Sequence, residues 1–204
     1  MEDPSRVSAK LSVRPLTLSE ARARFDDLAH LRITVFREWP YLYDGDVDYE
    51  RSYLATYFKS PNAFIAGAFH GDKMVGACTA SPLADHATEF SEPFGALGLN
   101  LDDYFYFGES VLLPAYRGEG VGVKFFEYRE AEAKRQGFSS CVFSAAHRPN
   151  DHPFRPSNYV PLDSFWRKRG YSQIDGLATR FAWKDIGESH ETEKPMTFWM
   201  KKLT

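Results

Sequence analysis

The sequence predicts one mixed α/β domain, and three observations lead to it. A β-prone run at 104–113 passes through a glycine-rich turn into a helical stretch that reaches about Gln136, and a second strand follows at 138–145. A long helix between two strands implies a parallel, right-handed crossover. The strands at 63–69 and 73–79 flank His70-Gly71-Asp72 and read as an antiparallel hairpin. The sheet is therefore mixed and mostly antiparallel, with one parallel pair near its middle.

The elements follow in order. Leu11 to Arg14 reads as a first strand, and Thr17-x-x-Glu20 has the layout of a capping box. Leu18, Ala21, Phe25, Leu28 and Val35 recur at helical spacing, which predicts one amphipathic helix over 18–36. Residues 38–46 form an aromatic loop. Asp48 is placed to cap a second helix ended by Ser60-Pro61, with Tyr49, Tyr53 and Tyr57 as its core face. Residues 81–103 read as an irregular excursion. Gly137 closes the long helix, 147–161 is a proline-rich loop, 162–169 is a short helix stopped by Gly170, and strands at 177–183 and 197–203 end the chain. Residues 1–10 are read as a tail and 11–204 as the single domain.

Composition narrows the function classes. The 204 residues are 43% hydrophobic and 26% charged, with a formal net charge of -3, which favours a packed domain and argues against a nucleic-acid partner. No apolar run approaches the ~20 residues of a membrane span, and the N-terminus lacks the layout of a signal peptide. A cytoplasmic protein without a membrane partner is expected. Cys78 and Cys141 sit in strands and are expected as buried free thiols. His147 and His152 have unsuitable spacing for a metal site, so no metal is expected.

The turn after the 104–113 strand carries the chemistry. Glycines let backbone amides converge, and the first amides of the following helix have no internal partner, so Arg117-Gly-Glu-Gly-Val-Gly122 reads as an anion site. It lacks the Gly-Lys-Ser/Thr ending of a nucleotide-triphosphatase loop. It also lacks the repeated βα units of a dinucleotide fold.

Leu112-Leu-Pro-Ala-Tyr-Arg-Gly-Glu-Gly-Val-Gly-Val resembles the acetyl-CoA-binding signature of the GNAT superfamily, with Arg117, Gly120 and Gly122 at its three defining positions. Phe165-Trp-Arg-Lys-Arg-Gly-Tyr171 is similar to the family's second signature. The resemblance implies the GNAT fold, with helices on both faces and a splayed parallel pair, and acetyl-CoA as cofactor. Leu112 and Leu113 would pair with the pantetheine arm. The backbone of Arg117, Gly118, Glu119, Gly120, Val121, Gly122 and Val123 would hold the pyrophosphate, and Ser144, Asn150 and the 162–169 helix would line its far side. The resemblance implies an acetyl-CoA-dependent N-acetyltransferase acting on a primary amine of a small molecule or protein. A non-catalytic acyl-CoA-binding module is the alternative, and a homodimer is left open.

Acyl transfer needs a neutral amine. A lysine-like amine (pKa ~10.4) is neutral at about one part in 10³ at pH 7, so a base is expected. Glu109, a lone carboxylate in an apolar strand, is the first candidate; it could instead point outward or form a structural ion pair. Tyr106 matches the position at which some relatives carry a catalytic glutamate, and a strand bulge could exchange the two faces. Trp166 stands where many members have a tyrosine acid, which leaves Tyr159, His147 or solvent to protonate the thiolate. Trp39, Tyr41, Tyr43 and Asp44 are expected in the acceptor wall, and Arg148 and Arg155 could meet an acidic group.

Overall fold

The computed structural model describes residues 10–204, except the side chain of Thr56. The expected tail lies almost wholly outside them. Seven strands form one sheet in the order β1-β2-β3-β4-β5-β7-β6. They are β1 Leu11–Leu16, β2 Phe64–His70, β3 Lys73–Pro82, β4 Tyr104–Leu112, β5 Ser140–Ala146, β6 Ser172–Trp183 and β7 Thr192–Lys202. Only β4 and β5 pair in parallel; every other neighbouring pair is antiparallel.

Six helices cover the sheet. On one face lie α1 Leu18–Ala23, α2 Phe25–Phe36, α3 Val47–Tyr57 and α4 Thr88–Ala96. On the other, α5 Val121–Gln136 and α6 Asp163–Arg167 pack against Phe105, Phe107, Phe143 and Trp199. Alternation along each strand sends side chains to both layers: Val142 and Phe198 face α4, whereas Cys141, Phe143 and Trp199 face α5 and α6. Both cysteines are buried and free. No described helix is long and apolar enough to cross a membrane.

Three expectations are corrected. The predicted 18–36 helix is two: Thr17 and Glu20 form the capping box of α1, but Arg24 leaves helical geometry (φ -109°, ψ 24°) and α2 restarts at Phe25. Asp46, not Asp48, caps α3, because its carboxylate accepts from the amides of Asp48 and Tyr49 at 3.0 and 2.9 Å. The excursion at 81–103 holds the end of β3 and the whole of α4, with Pro93 inside the helix. Phe90 and Phe94 give α4 a buried face, and that burial outweighs the poor helix propensity of Gly and Pro in this segment.

One irregularity positions the rest. Cys78 pairs with Ser110 and Ala80 with Phe107, so Thr79 alone lies opposite both Gly108 and Glu109. This is a β-bulge in β4. Strict alternation from Phe105 and Phe107 would put Glu109 among the α5 contacts. The extra residue turns it to the α2–α3 face, next to Arg32, while Ser110 returns to α5. Gly108 is required there, because an added Cβ would lie 1.8 Å from Tyr57 Oη and 2.7 Å from Thr79 Oγ1.

Arg129 of α5, 1% exposed, holds the bulge from below. It donates to the carbonyls of Thr79 (3.4 Å) and Glu109 (3.3 Å) and to Ser110 Oγ (2.8 Å), and its guanidinium lies over the Phe107 ring at 4.1 Å. Gly108→Ala is expected to lower stability by about 2 kcal/mol or more through overpacking. Adding Tyr57→Phe should return part of that loss, because it removes the nearest atom; urea unfolding of the single and double variants measures both.

Candidate active site

Pairing between β4 and β5 covers only Tyr104 to Tyr106 against Ser140 to Val142. Beyond that point the strands diverge, as the resemblance implied. A cleft of about 1100 Å³ opens between them, within reach of a large cofactor, and runs from Glu109 to the glycine-rich turn.

At the turn, Gly118 and Gly120 have φ of +86° and +80°, a region that β-carbons disfavour, and a Cβ at either would meet nothing within 4 Å. The cradle is open. The amides of Val123 and Lys124 both donate to Gly120 O, so those of Val121 and Gly122 precede the first intrahelical bonds. These residues border the cleft together with Leu112, Arg117 and Val123. Gly122 is constrained by packing as well, since a Cβ there would come 3.1 Å from the Phe165 ring of α6. Arg117 bonds Leu112 O at 3.2 Å and pairs with Glu38 at 2.9 Å, which joins the turn to the loop after α2.

Three residues expected on the cofactor are placed differently. The Leu113 amide donates to Val75 O at 3.0 Å and is used inside the sheet. Among the described residues bordering the cleft, Glu119 and Asn150 do not occur; Asn150 accepts from Arg155 within its own loop.

At its inner end the cleft meets a second, smaller chamber, and the two share Phe36, Tyr41, Gly108, Glu109 and Ser144. Aromatic side chains dominate its walls. Tyr106 and Ser144 close one side through a 2.7 Å hydrogen bond. Tyr49 and Tyr53, expected only as core, border this chamber; Tyr57 is core, and its hydroxyl meets His86 Nε2 at 2.8 Å. His86 Nδ1 accepts from the Ala87 amide, which leaves the proton on Nε2. Burial pushes the His86 pKa down to about 4, so the ring is neutral.

Glu109 stands at the junction, 5% exposed. Its Oε2 pairs with Arg32 Nη1 at 2.7 Å, and Arg32 Nε also bonds Glu50, which is fully buried. Burial holds the Glu109 carboxyl above the usual carboxylate range. The Arg32 charge pulls it down, the Glu50 charge raises it, and the Thr79 hydroxyl and Arg129 charge lower it. Thr79 stands beside the same carboxylate, its Oγ1 accepting from the Glu109 amide at 3.3 Å. Glu109 therefore makes the structural ion pair weighed from sequence and still borders both cavities. Arg32 and Glu50 were missed; their signal was a charge on an apolar helix face, Arg32 among Leu28, Leu31 and Val35, and Glu50 four residues before Leu54.

The loop between α2 and α3 supplies the remaining wall. Leu42 is held at φ +54°, a conformation costing a β-carbon residue about 1–3 kcal/mol, and its two neighbours Tyr41 and Tyr43 both border the chamber. Outside contacts fix this geometry. Arg148 donates to the carbonyls of Pro40 (2.9 Å) and Tyr41 (2.8 Å) and pairs with Asp185 at 2.7 Å, and Trp183 Nε1 bonds Tyr41 O at 2.9 Å. Arg148, considered for an acidic group of the acceptor, is thus occupied in pinning the loop. Arg155 lies over the Tyr159 ring. Asp44 borders neither cavity; it pairs with Arg37 and Lys184 at the surface.

Trp39, His147, Tyr159 and Trp166 border the large cleft. Trp39 packs against His152 and Tyr159, and Trp166 against Phe143 and Trp199. Burial raises the Tyr159 pKa, and Asp163 adds to the rise.

Removing Arg32 would leave two buried carboxylates uncompensated. Arg32→Gln is expected to cost about 3–5 kcal/mol at pH 7. The deficit should shrink toward pH 5, because a carboxyl with a raised folded-state pKa destabilises the fold progressively as pH rises from its unfolded pKa to its folded one, and that cost fades as pH falls. Urea unfolding at the two pH values measures this, and a deficit independent of pH would contradict it.

The profile described as "Acetyltransferase (GNAT) family" matches residues 28–154. No curated protein matches the chain. Among solved structures, a ribosomal-protein-alanine N-acetyltransferase from Brucella melitensis is similar at TM-score 0.60 and 11% identity, covering 94% of this chain and 99% of that one. The yncA protein of Salmonella typhimurium, a candidate acetyltransferase solved with its cofactor acetyl-CoA, gives 0.57 and 12%, covering 96% and 95%. The PaiA N-acetyltransferase of Thermoplasma acidophilum, in complex with coenzyme A, gives 0.55 and 14%, covering 95% and 99%. These identities speak for the fold alone. The profile spans well over half of the chain, and with the splayed strands and the open glycine turn it makes this chain a member of the GNAT acetyltransferase family.

Proposed function

We infer that the protein is an acetyl-CoA-dependent N-acetyltransferase acting on a primary amine, with Glu109 as the base. One observation carries the reading. A buried carboxylate with a raised pKa, held by Arg32, stands where an open cleft meets a separate chamber. A donor along the splayed strands and an acceptor in the chamber would meet there.

The cradle fits a pyrophosphate. It has no β-carbons at Gly118 and Gly120, two helix amides without partners, and the partial positive charge of the α5 N-terminus. Leu112, Arg117, Gly118, Gly120, Val121, Gly122 and Val123 would hold the donor. Bound acetyl-CoA supplies a thioester, whose acyl group passes to the amine nitrogen as the C–S bond breaks and the thiol departs.

The chain's own contribution is to deliver a neutral amine. Deprotonating a lysine-like ammonium at pH 7 costs ~4.6 kcal/mol. The raised Glu109 pKa narrows the gap to the ammonium. Arg32 keeps Glu109 oriented through the 2.7 Å ion pair, and Arg129 fixes its backbone. Tyr159 and His147 are within the cleft as candidate acids for the thiolate, while the indole of Trp166 cannot protonate it.

The second reading, an acyl-CoA-binding module without turnover, draws on that Trp166 position. Thermal shift followed by thiol release across an amine panel separates the two. Saturating acetyl-CoA at ~100 times its Kd is expected to stabilise the fold by about 2.7 kcal/mol, and Gly120→Glu to abolish the shift. Glu109→Gln is expected to lower kcat about 10²-fold or more at pH 7 with acetyl-CoA binding retained. The loss should be smaller at pH 9, where about tenfold more amine is neutral per pH unit. A loss equal at both pH values would remove Glu109 from the role of base.

A further inference from the structure

We propose that the acceptor is a compact amine carried on an aromatic body, an arylalkylamine, rather than an amino acid or a polypeptide. The inference rests on the acetyltransferase reading above and specifies its substrate from the walls of the smaller chamber.

Size sets the first limit. The chamber has a volume of about 80 Å³. At roughly 10–15 Å³ per water it has room for about six waters, or about 180 Å³ of liquid. A single ring with a short amine-bearing chain fills that space.

The walls set the second. Tyr41, Tyr49, Phe90, Tyr106, Phe181 and Trp183 come from the α2–α3 loop, α3, α4, β4 and β6. Phe90 and Phe181 meet at 5.0 Å, and Phe90 and Tyr106 at 5.3 Å. Such rings favour an aromatic body edge-on or offset-stacked. They offer few partners to the amide groups of a peptide, which would be buried unpaired.

Charge sets the third. Arg32 and Glu109 are the charged side chains bordering the chamber, and Glu50 lies behind Arg32. Two carboxylates around one guanidinium leave a formal -1 on this face of the sheet when all are ionised, with the Arg129 charge on the other face. An ammonium completes the cluster, with additional attraction from the ring faces. Arg32 already gives Nε to Glu50 and Nη1 to Glu109, and its Cζ lies 4.2 Å from the Tyr53 ring centroid and 5.1 Å from that of Phe36. A substrate carboxylate beside Glu109 would meet a like charge in a desolvated site.

The test compares matched pairs by thiol release from acetyl-CoA: 2-phenylethylamine against phenylalanine, tyramine against tyrosine, with spermidine and an alanine-initiated peptide as contrasts. The arylalkylamine is expected to exceed its amino acid and both contrasts by about 100-fold or more in kcat/KM. Phe181→Ala should raise KM for 2-phenylethylamine about tenfold with the acetyl-CoA thermal shift unchanged. Equal or better turnover of phenylalanine, spermidine or the peptide overturns the proposal alone, as does an unchanged KM in Phe181→Ala. If no amine releases thiol while acetyl-CoA still stabilises the fold, the acetyltransferase reading fails. Calorimetry of 2-phenylethylamine on the CoA-saturated protein then decides the chamber's ligand, and absence of binding overturns it.

Discussion

The bulge that sets Gly108 and Glu109 against Thr79 is the constraint on which the site depends. An extended strand alternates its side chains, and strict alternation would bury the Glu109 carboxylate under α5, beside Phe107 and Arg129. One extra residue sends the carboxylate to the other face and keeps its neighbours in place. Arg129 makes this tolerable by satisfying the carbonyls that the bulge draws out of the ladder. Its own charge is buried, but it lies between two phenyl rings and four acceptors.

The bulge sits just past the point where β4 and β5 stop pairing. Strand divergence exposes backbone edges, and the same divergence creates the cleft. The family's turn and helix N-terminus lie at one end of that cleft, and Glu109 lies at the other. The Arg32–Glu50–Glu109 cluster is costly as a stabilising device, since desolvation of three charges offsets much of their attraction. Its position puts those charges where the cleft and the smaller chamber meet.

The wall of the smaller chamber is built from segments far apart in sequence. Leu42 adopts a left-handed backbone because Arg148 and Trp183 hold the carbonyls beside it, and α4 closes over the chamber through Phe90.

The strand, proline, glycine turn and long helix were legible in sequence because each depends on residues within a few positions of one another. Positive φ needs glycine, helix amides need an anion or water, and a β-prone run needs alternating or continuous apolar residues. That local chemistry determined the family and the place of an open glycine turn. The two-helix break at Arg24, the α4 helix and the partners of Glu109 were not legible. Arg24 is an ordinary helix former, and α4 contains Gly95 and Pro93 and is stabilised by burial of Phe90 and Phe94. The face to which Glu109 points depends on a register shift against β3, and its charge partners lie on α2 and α3, 77 and 59 positions earlier by residue number (109 − 32 and 109 − 50). Long-range packing alone brings those groups together, so the sequence determined the glycine turn, and the tertiary structure decided what lines the smaller chamber.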